Sequence, residues 1–187
     1  MNKRAIIIGV SLLTLAAFFS LLGWAIAHSK GIPGSLGINK VFGEATIQER
    51  PAPDFTLHLI EGGSVTLENL KGNVVMLDFW SSWCPPCRKE APNLAKVYSE
   101  YRDKGVEFIG ISIWDRLGDA EDYVREFRLT YPSGIDPNGA ILMDYGVVGI
   151  PEKFFIDAEG QIVAKYVGPS SVEDLRTTLD DILSGQH

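Results

Sequence analysis

The stretch LDFWSSWCPPCRKE, residues 77–90, is the part of the chain that decides the fold. The apolar run at residues 74–79 predicts a buried strand, and apolar residues at helical spacing follow from the cysteines to about Asp103. Cys84 and Cys87 therefore lie where a strand leads into a helix. A single cysteine pair neither staples a disulfide-rich scaffold nor fills a four-ligand zinc site. The pair is therefore structural, catalytic, or half of a metal site completed by other residues.

The two prolines between the cysteines suit the first turn of a helix. With Cys84 as the N-cap, Pro85 and Pro86 occupy positions where their missing N–H groups cost no intrahelical bond. The positive end of the helix dipole and partial exposure would then favour the thiolate of Cys84 and make it the nucleophile. Cys87, one turn further on, is placed to resolve a mixed disulfide. An inert disulfide between neighbouring cysteines is the structural alternative.

Pro86 also bears on the direction of electron flow. An N-cap thiolate would ordinarily accept hydrogen bonds from the second and third backbone N–H groups of the helix. Pro86 has no N–H, which leaves mainly the amide of Cys87. A thiolate with fewer donors is less stabilised, and a less stabilised reduced form is a stronger reductant. The dipeptide therefore favours a reductase over an oxidase.

Strands alternate with helices on both sides of this junction. The predicted elements are a hairpin over 55–67, strands over 74–79, 106–114, 131–135, 154–157 and 161–167, and helices over 84–103, 119–129 and from Ser171 onward. Asp174, three residues after Ser171, makes this last helix start a capping-box variant. This order predicts one α/β domain with a single core over residues 49–187.

The first residues predict a targeting element. Residues 5–27 carry no charged side chain, and a helix of that length spans a hydrocarbon core of roughly 30 Å. The two basic residues before it would stay in the cytoplasm, which puts the rest of the chain outside, on the periplasmic or extracellular face of a cell membrane. We expect a single-pass transmembrane anchor or uncleaved signal over 1–29 and a glycine-rich linker over 30–48. A cleaved signal peptide is the alternative, since AIA at 25–27 resembles a cleavage site.

The charge of the chain argues against nucleic acid as a partner. The formal net charge is −7, and residues 1–30 hold no acidic residue, so the acidic excess lies in the domain. Such a surface repels phosphate backbones.

Several segments resemble the thioredoxin superfamily. Residues 77–90 look like its active site. Pro53-Asp54-Phe55 and Leu70-Lys71-Gly72 are similar to the N-terminal hairpin of the membrane-anchored, extracytoplasmic branch that includes the ResA, TlpA and DsbE (CcmG) proteins. Glu90 is similar to that branch's active-site glutamate, and GVVGIPE at 146–152 resembles its loop with a cis-proline opposite the cysteines.

The resemblance covers about residues 50–185 and implies a thioredoxin-like fold, a mixed central sheet flanked by helices, with an N-terminal β-hairpin extension. It also implies thiol–disulfide exchange. Glu152 looks most like the cytochrome-maturation members, so apocytochrome c, reduced at its cysteine pair before haem attachment, is the preferred client. General thiol–disulfide interchange of exported proteins is the alternative. A reductase outside the cell needs a membrane thiol electron donor, and no cofactor is expected because the cysteine pair stores both electrons.

Three further residues are candidates for the site. Glu90, at i+3 from Cys87, shares its helix face and is placed to relay a proton. Asp78 lies in the apolar strand where thioredoxins hold a buried acid, and a buried acid with a raised pKa is a candidate proton acceptor. Pro151 follows Ile150 in a strand-like region, where a cis bond would expose the Ile150 backbone to a substrate strand. A solvated acid, an exposed strand end and a trans proline are the respective alternatives.

Two other functions remain as less favoured alternatives. A thiol peroxidase of the peroxiredoxin type would have proline seven residues before its cysteine, and Leu77 stands there. A copper-delivery module would have a wider cysteine spacing and a partnering histidine, whereas the histidines stand at positions 28, 58 and 187.

Overall fold

The computed structural model describes residues 3–28, 37–39 and 42–186. The chain divides into two compact units, Met1–Leu36 and Gly37–His187. In the first unit, helix α1 spans Lys3–His28.

Of the helices within the described ranges, none is both long enough and apolar enough to cross a membrane. The anchor expected over residues 1–29 stays a prediction.

The second unit alternates strands with helices. Its strands are β1 (Gly43–Ala45), β2 (Arg50–Pro51), β3 (Thr56–His58), β4 (Ser64–Thr66), β5 (Val74–Trp80), β6 (Val106–Ile113), β7 (Ser133–Asp136), β8 (Glu152–Ile156) and β9 (Gln161–Val167). Its α-helices are α2 (Pro85–Tyr101), α3 (Leu117–Phe127), α4 (Ala140–Tyr145) and α5 (Val172–Leu183). Short 3₁₀ turns cover Glu68–Leu70 and Arg102–Lys104. The predicted α/β class is confirmed.

A mixed sheet forms the centre of this unit, in the order β1-β9-β8-β5-β6-β7, and β2 also pairs with β9. Strand β5 runs parallel to β6 and antiparallel to β8. All seven residues of β5 are buried, which is why its sequence is apolar throughout except for Asp78 and does not alternate. The register pairs Phe79 with Glu152. The last residues of β5 and the first residues of β8 therefore lie side by side at the same end of these two central strands.

The predicted hairpin is present as β3 and β4, which pair with Thr56 opposite Thr66. It packs on the main sheet through a bridge between Leu59 and Gly134 of β7. A Cβ atom at Gly134 would collide with the backbone carbonyl of His58, so this contact requires glycine.

Residues 30–36, 40 and 41 of the linker expected over residues 30–48 lie outside the described residues, and other parts of this segment pair with the second unit. Gly43 begins β1, which pairs with β9, and Ile38 forms a parallel bridge with Ile150. Gly37 and Gly43 have φ angles of +88° and +133°, which glycine adopts without steric penalty. These two glycines let the described parts of the segment turn onto the domain.

The helices follow their sequence signals closely. Helix α2 begins after Cys84 and buries one face of apolar side chains, as its spacing predicted. Helix α5 has the predicted capping box between Ser171 and Asp174. Helix α4 was not predicted, because its six residues are too short to show helical periodicity.

Candidate active site

The cysteine pair lies at the junction of β5 and α2. A disulfide joins Cys84 and Cys87, whose Cα atoms are 5.3 Å apart. Cys84 is the N-cap of α2, and Pro85 and Pro86 take the first helical positions. The backbone N–H of Cys87 donates to Sγ of Cys84 at 3.3 Å. The sulfur therefore has the amide donor that the sequence predicted, while Pro86 contributes none.

The partial exposure predicted for Cys84 is wrong for the disulfide form. Both cysteines have an exposed fraction of 0%. A position at a helix start suggested exposure, but the pairing of Phe79 with Glu152 brings the loop before β8 to the same end of the sheet. Ile150 in that loop is also fully buried. An attacking thiol therefore needs a rearrangement at this end before it reaches Cys84.

Hydrogen bonds hold the loop that leads into α2. The carboxylate of Asp115 accepts from the backbone N–H of Ser82 at 2.6 Å and from its hydroxyl at 2.8 Å. The hydroxyl of Tyr123 donates to the carbonyl of Cys87 at 3.0 Å, and its ring stacks on Trp80 with centroids 4.2 Å apart. These contacts tie the turn that carries the cysteines to the segment after β6 and to α3.

The Ile150–Pro151 peptide bond is cis, as predicted. Both backbone groups of Ile150 are engaged within the chain. Its N–H donates to the carbonyl of Gly37 at 2.6 Å, and its carbonyl accepts from the N–H of Asn39 at 2.9 Å. The Ile150 backbone is thus not free in this structure.

Glu90 is buried in the structure, with 2% exposed. It forms a buried ion pair with Lys153 of β8, and the same oxygen, Oε2, accepts from the N–H of Ser170 at 2.8 Å. Its other oxygen has no hydrogen-bond partner among the described residues. Burial raises the pKa of Glu90, and the charge of Lys153 opposes that rise. Lys153 also donates to the carbonyl of Gly168 at 3.0 Å.

Asp78 lies in the middle of β5, 1% exposed, and its register partner is Lys153. Burial raises its pKa to about 7, with Lys153 opposing the rise and Glu90 adding to it. Burial, followed by the charge of Asp78, raises the pKa of Tyr123, whose hydroxyl bonds to Cys87. The structure therefore brings Asp78, Glu90 and Lys153 into one buried charged cluster below the cysteine turn.

Glu152, which follows the cis-proline, is 1% exposed. It forms an ion pair with Lys165 of β9. Burial raises the pKa of Glu152, and the hydrogen bond from Lys165 opposes that rise. This carboxylate is therefore ion-paired inside the sheet, directly after the cis-proline.

Known proteins resemble this chain in sequence and in structure. The model of the AhpC/TSA family matches residues 49–165, more than half of the chain. The chain belongs to the AhpC/TSA family.

Relatives of this AhpC/TSA protein define its activity. It is 33% identical over 154 residues to the thiol-disulfide oxidoreductase ResA of Bacillus thuringiensis subsp. konkukian, with 80% of this chain and 89% of that protein covered. A thiol:disulfide interchange protein of the thioredoxin family from Chlorobium tepidum has a similar structure, with a TM-score of 0.68, 29% identity, and 74% of this chain and 99% of that chain covered. A secreted disulfide oxidoreductase of Mycobacterium tuberculosis, homologous to E. coli DsbE, gives a TM-score of 0.62 at 28% identity, with 67% and 94% covered. The chain is a thiol-disulfide oxidoreductase with a thioredoxin-like fold.

Sequence reasoning did not single out two residues of this AhpC/TSA site. Lys153 lies in the apolar strand EKFFI. A lysine in a buried strand needs a paired acid, so the sequence could have predicted a buried ion pair at this position. Asn39 gave none, because its partners Gly149 and Pro151 lie 110 and 112 residues further along the chain.

Proposed function

We propose that the chain is an extracytoplasmic protein-disulfide reductase that uses Cys84 and Cys87 and reduces apocytochrome c before haem attachment. The observation that carries the proposed direction is the hydrogen bonding of Cys84. Its sulfur accepts from the N–H of Cys87, and Pro86 has no N–H to add. A weakly stabilised thiolate favours giving up electrons.

The proposed exchange has two steps. In the reduced protein, the Cys84 thiolate attacks one sulfur of a client disulfide, which forms a mixed disulfide and releases the client's first thiolate. The deprotonated sulfur of Cys87 then attacks Sγ of Cys84, which closes the Cys84–Cys87 disulfide and releases the client's second thiolate. The client gains two electrons and the cysteine pair loses two; the released thiolates take up protons from the site or from water.

Asp78 is the proposed acceptor of the Cys87 proton. An acid with a pKa of about 7 is poised to accept and release a proton near neutral pH. Its charge is felt by Tyr123, which bonds to the Cys87 carbonyl. Glu90 is instead held by Lys153 and Ser170, so its proposed role is to position the cluster.

Separate observations support the proposed location and client. The Mycobacterium tuberculosis relative is secreted and is homologous to DsbE, and the uncharged stretch at residues 5–27 fits a tether to the outer face of a membrane. A glutamate directly after the cis-proline, here Glu152, is a feature in which the chain resembles the cytochrome-maturation members of the thioredoxin superfamily. A reductase in that place takes its electrons from a membrane thiol carrier, since no reducing pool exists there.

The reduction potential of the full chain tests the direction. Equilibration of the cysteine pair with a thiol buffer should give a value between about −270 and −200 mV, whereas about −120 mV would indicate an oxidant. Pro86→His restores a backbone donor to Cys84 and should make the potential less negative. An unchanged or more negative potential in this variant would contradict the argument from the prolines.

A second experiment tests the client class. The reduced chain is mixed with a peptide disulfide of the haem-attachment pattern Cys-x-x-Cys-His and with a control peptide in which the histidine is moved. A several-fold preference for the first peptide supports apocytochrome c. Equal rates would favour general interchange of exported proteins.

A further inference from the structure

A short segment at the start of the second unit, Gly37–Asn39, pairs with the loop that precedes β8; we call this segment the strap. Its middle residue, Ile38, forms a parallel bridge with Ile150. Two backbone hydrogen bonds flank this bridge: Ile150 N–H donates to Gly37 at 2.6 Å, and Asn39 N–H donates to Ile150 at 2.9 Å. The strap is therefore paired with this loop as a β-strand would be.

Side chains add to this pairing. The amide Nδ2 of Asn39 donates to the carbonyls of Gly149 and Pro151, at 3.0 and 2.8 Å. A Cβ atom at Gly149 would collide with the Asn39 side chain. One asparagine thus binds the carbonyls on both sides of Ile150, and the fit depends on a glycine.

The other end of the strap is covered by an aromatic ring. A Cβ atom at Gly37 would collide with the ring of Trp114. The carbonyl of Trp114 accepts from Nε1 of Trp83 at 3.1 Å, and Trp83 is the residue before Cys84. The strap is therefore connected through two tryptophans to the buried cysteine turn.

The strap and an extended client segment cannot use the same donor at once. Addition of a strand to an exposed backbone edge gives affinity through main-chain hydrogen bonds. The backbone N–H of Ile150 makes one strong hydrogen bond, and Gly37 accepts it. A client segment that pairs at Ile150 must therefore displace the strap.

We propose that the strap is an intramolecular occupant of the client-docking site at Ile150, and that the extended, cysteine-bearing segment of a client protein displaces it before exchange at Cys84. This inference rests on the proposed exchange between Cys84 and a protein client. Cys84 has no exposed surface in the disulfide form, so a client must rearrange the site before it reacts, and displacement of the strap is a rearrangement that an extended client segment can drive. It also gives protein clients an advantage over small thiols, which have no strand to exchange for the strap.

Kinetics of the full chain test the displacement. A disordered peptide dithiol reduces the Cys84–Cys87 disulfide: the pair takes up two electrons and two protons, and the peptide is oxidised to its disulfide. Asn39→Ala removes the two side-chain bonds of the strap and should accelerate this reaction roughly five- to tenfold. Asn73→Ala removes a side-chain bond to Leu70, outside the strap, and should leave the rate unchanged.

Hydrogen exchange gives a second measurement that needs no change in the strap. Cys87→Ser traps a mixed disulfide between Cys84 and the peptide. The Asn39 amide, protected in the free variant by its bond to Ile150, should exchange rapidly in this complex. In a mixed disulfide with 2-mercaptoethanol, which carries no backbone, the same amide should stay protected.

The outcomes separate the two proposals. If the peptide reacts but Asn39→Ala reacts no faster, or if the Asn39 amide stays protected in the peptide complex, the strap is not displaced and this inference is wrong. If neither the native chain nor Asn39→Ala exchanges with any peptide while dithiothreitol still reduces the cysteine pair, the proposed function itself fails.

Discussion

Asp78 and Glu90 share one buried cluster but have different partners. Glu90 binds Lys153 and Ser170 directly, whereas Asp78 faces Lys153 across the β5–β8 register. These direct partners oppose the rise that burial gives the pKa of Glu90. Asp78 is left as the acid that titrates near neutral pH, with a pKa of about 7.

The first prediction concerns the pH dependence of the resolving step. Asp78 accepts the Cys87 proton only when ionised, so the rate of mixed-disulfide resolution should rise with pH through about 7. Asp78→Asn should slow this step by about 10²-fold and remove the inflection. Stopped-flow kinetics from pH 5 to about 9 measure both effects.

Glu90→Gln serves as the comparison in that experiment. It should retain the inflection and move it to lower pH, because the charge of Glu90 contributes to the raised pKa of Asp78. If Glu90→Gln loses the inflection and Asp78→Asn keeps it, Glu90 is the proton acceptor.

The same acid predicts how stability varies with pH. The pKa of Asp78 is raised in the fold to about 7, from 3.8. An acid whose pKa is higher in the folded than in the unfolded protein stabilises the fold at pH values below its unfolded pKa. This stabilisation is lost as the pH rises to the folded pKa. Asp78→Asn, which does not ionise, should therefore gain about 2–4 kcal/mol relative to the native chain between pH 4 and pH 8.

Urea unfolding at the two pH values measures that gain. Asp122→Asn, which removes an exposed acid of α3 paired with Arg125, is the control and should show no comparable change. A native-minus-variant difference that is equal at both pH values would mean that Asp78 is ionised throughout.

A third prediction concerns the ion pair of Lys153. Its side chain is 0% exposed and that of Glu90 is 1% exposed, so Lys153→Met leaves a buried carboxylate unpaired. The free energy of unfolding should fall by about 3–5 kcal/mol, and adding Glu90→Gln should recover much of it. Lys71→Met, which breaks the exposed pair with Glu68, should change little. A small effect for Lys153→Met would show that Glu90 becomes protonated without cost.

At the scale of single elements, the capping box at the start of α5 is a local sequence signal whose contribution to stability a single substitution can measure. The Ser171 hydroxyl accepts from the N–H of Asp174 at 3.1 Å, and the Asp174 carboxylate accepts from the N–H of Ser171 at 2.8 Å. Ser171→Ala should lower the free energy of unfolding by about 1 kcal/mol. Ser184→Ala, at the other end of the helix, should stay within about 0.5 kcal/mol. Equal effects of the two substitutions would contradict the importance of the cap.

Elements with strong local signals were predictable, and those defined by distant partners were not. The apolar run of β5, the spacing of α2 and the cap of α5 each lie within one short window of sequence. Strand β1 is three residues long and exists because β9 offers it an edge. No local pattern encodes such a pairing, so the segment looked like linker.

At the scale of the whole molecule, the site divides in the same way. The cysteines, the prolines and the two acids were identifiable from one motif and a strand. The contacts of Lys153 with Glu90 and of Asn39 with Gly149 and Pro151 join residues far apart in sequence, and the burial of Cys84 is likewise a property of the folded chain. The reactive residues were therefore identifiable from the sequence, whereas the residues that bury and support them were identifiable only from the structure.

The orientation of the molecule is the last prediction. If residues 1–29 hold the domain on the outer face of a cell membrane, protease added to intact spheroplasts should remove it. A cytoplasmic marker protein should survive the same treatment. Protection of the domain until the membrane is lysed would contradict the extracytoplasmic location.

The tryptophans beside the site have a spectroscopic consequence. Trp83 and Trp114 are 42% and 50% exposed and joined by a hydrogen bond, and Trp114 covers Gly37. Departure of the strap would open the second indole to water and shift its emission to longer wavelength. Chemistry at Cys84 would instead change the brightness of its neighbour, Trp83. Replacing Trp24, Trp80 and one of these two indoles by phenylalanine would leave the other as a single tryptophan reporter, so that departure of the strap and electron transfer could be followed separately.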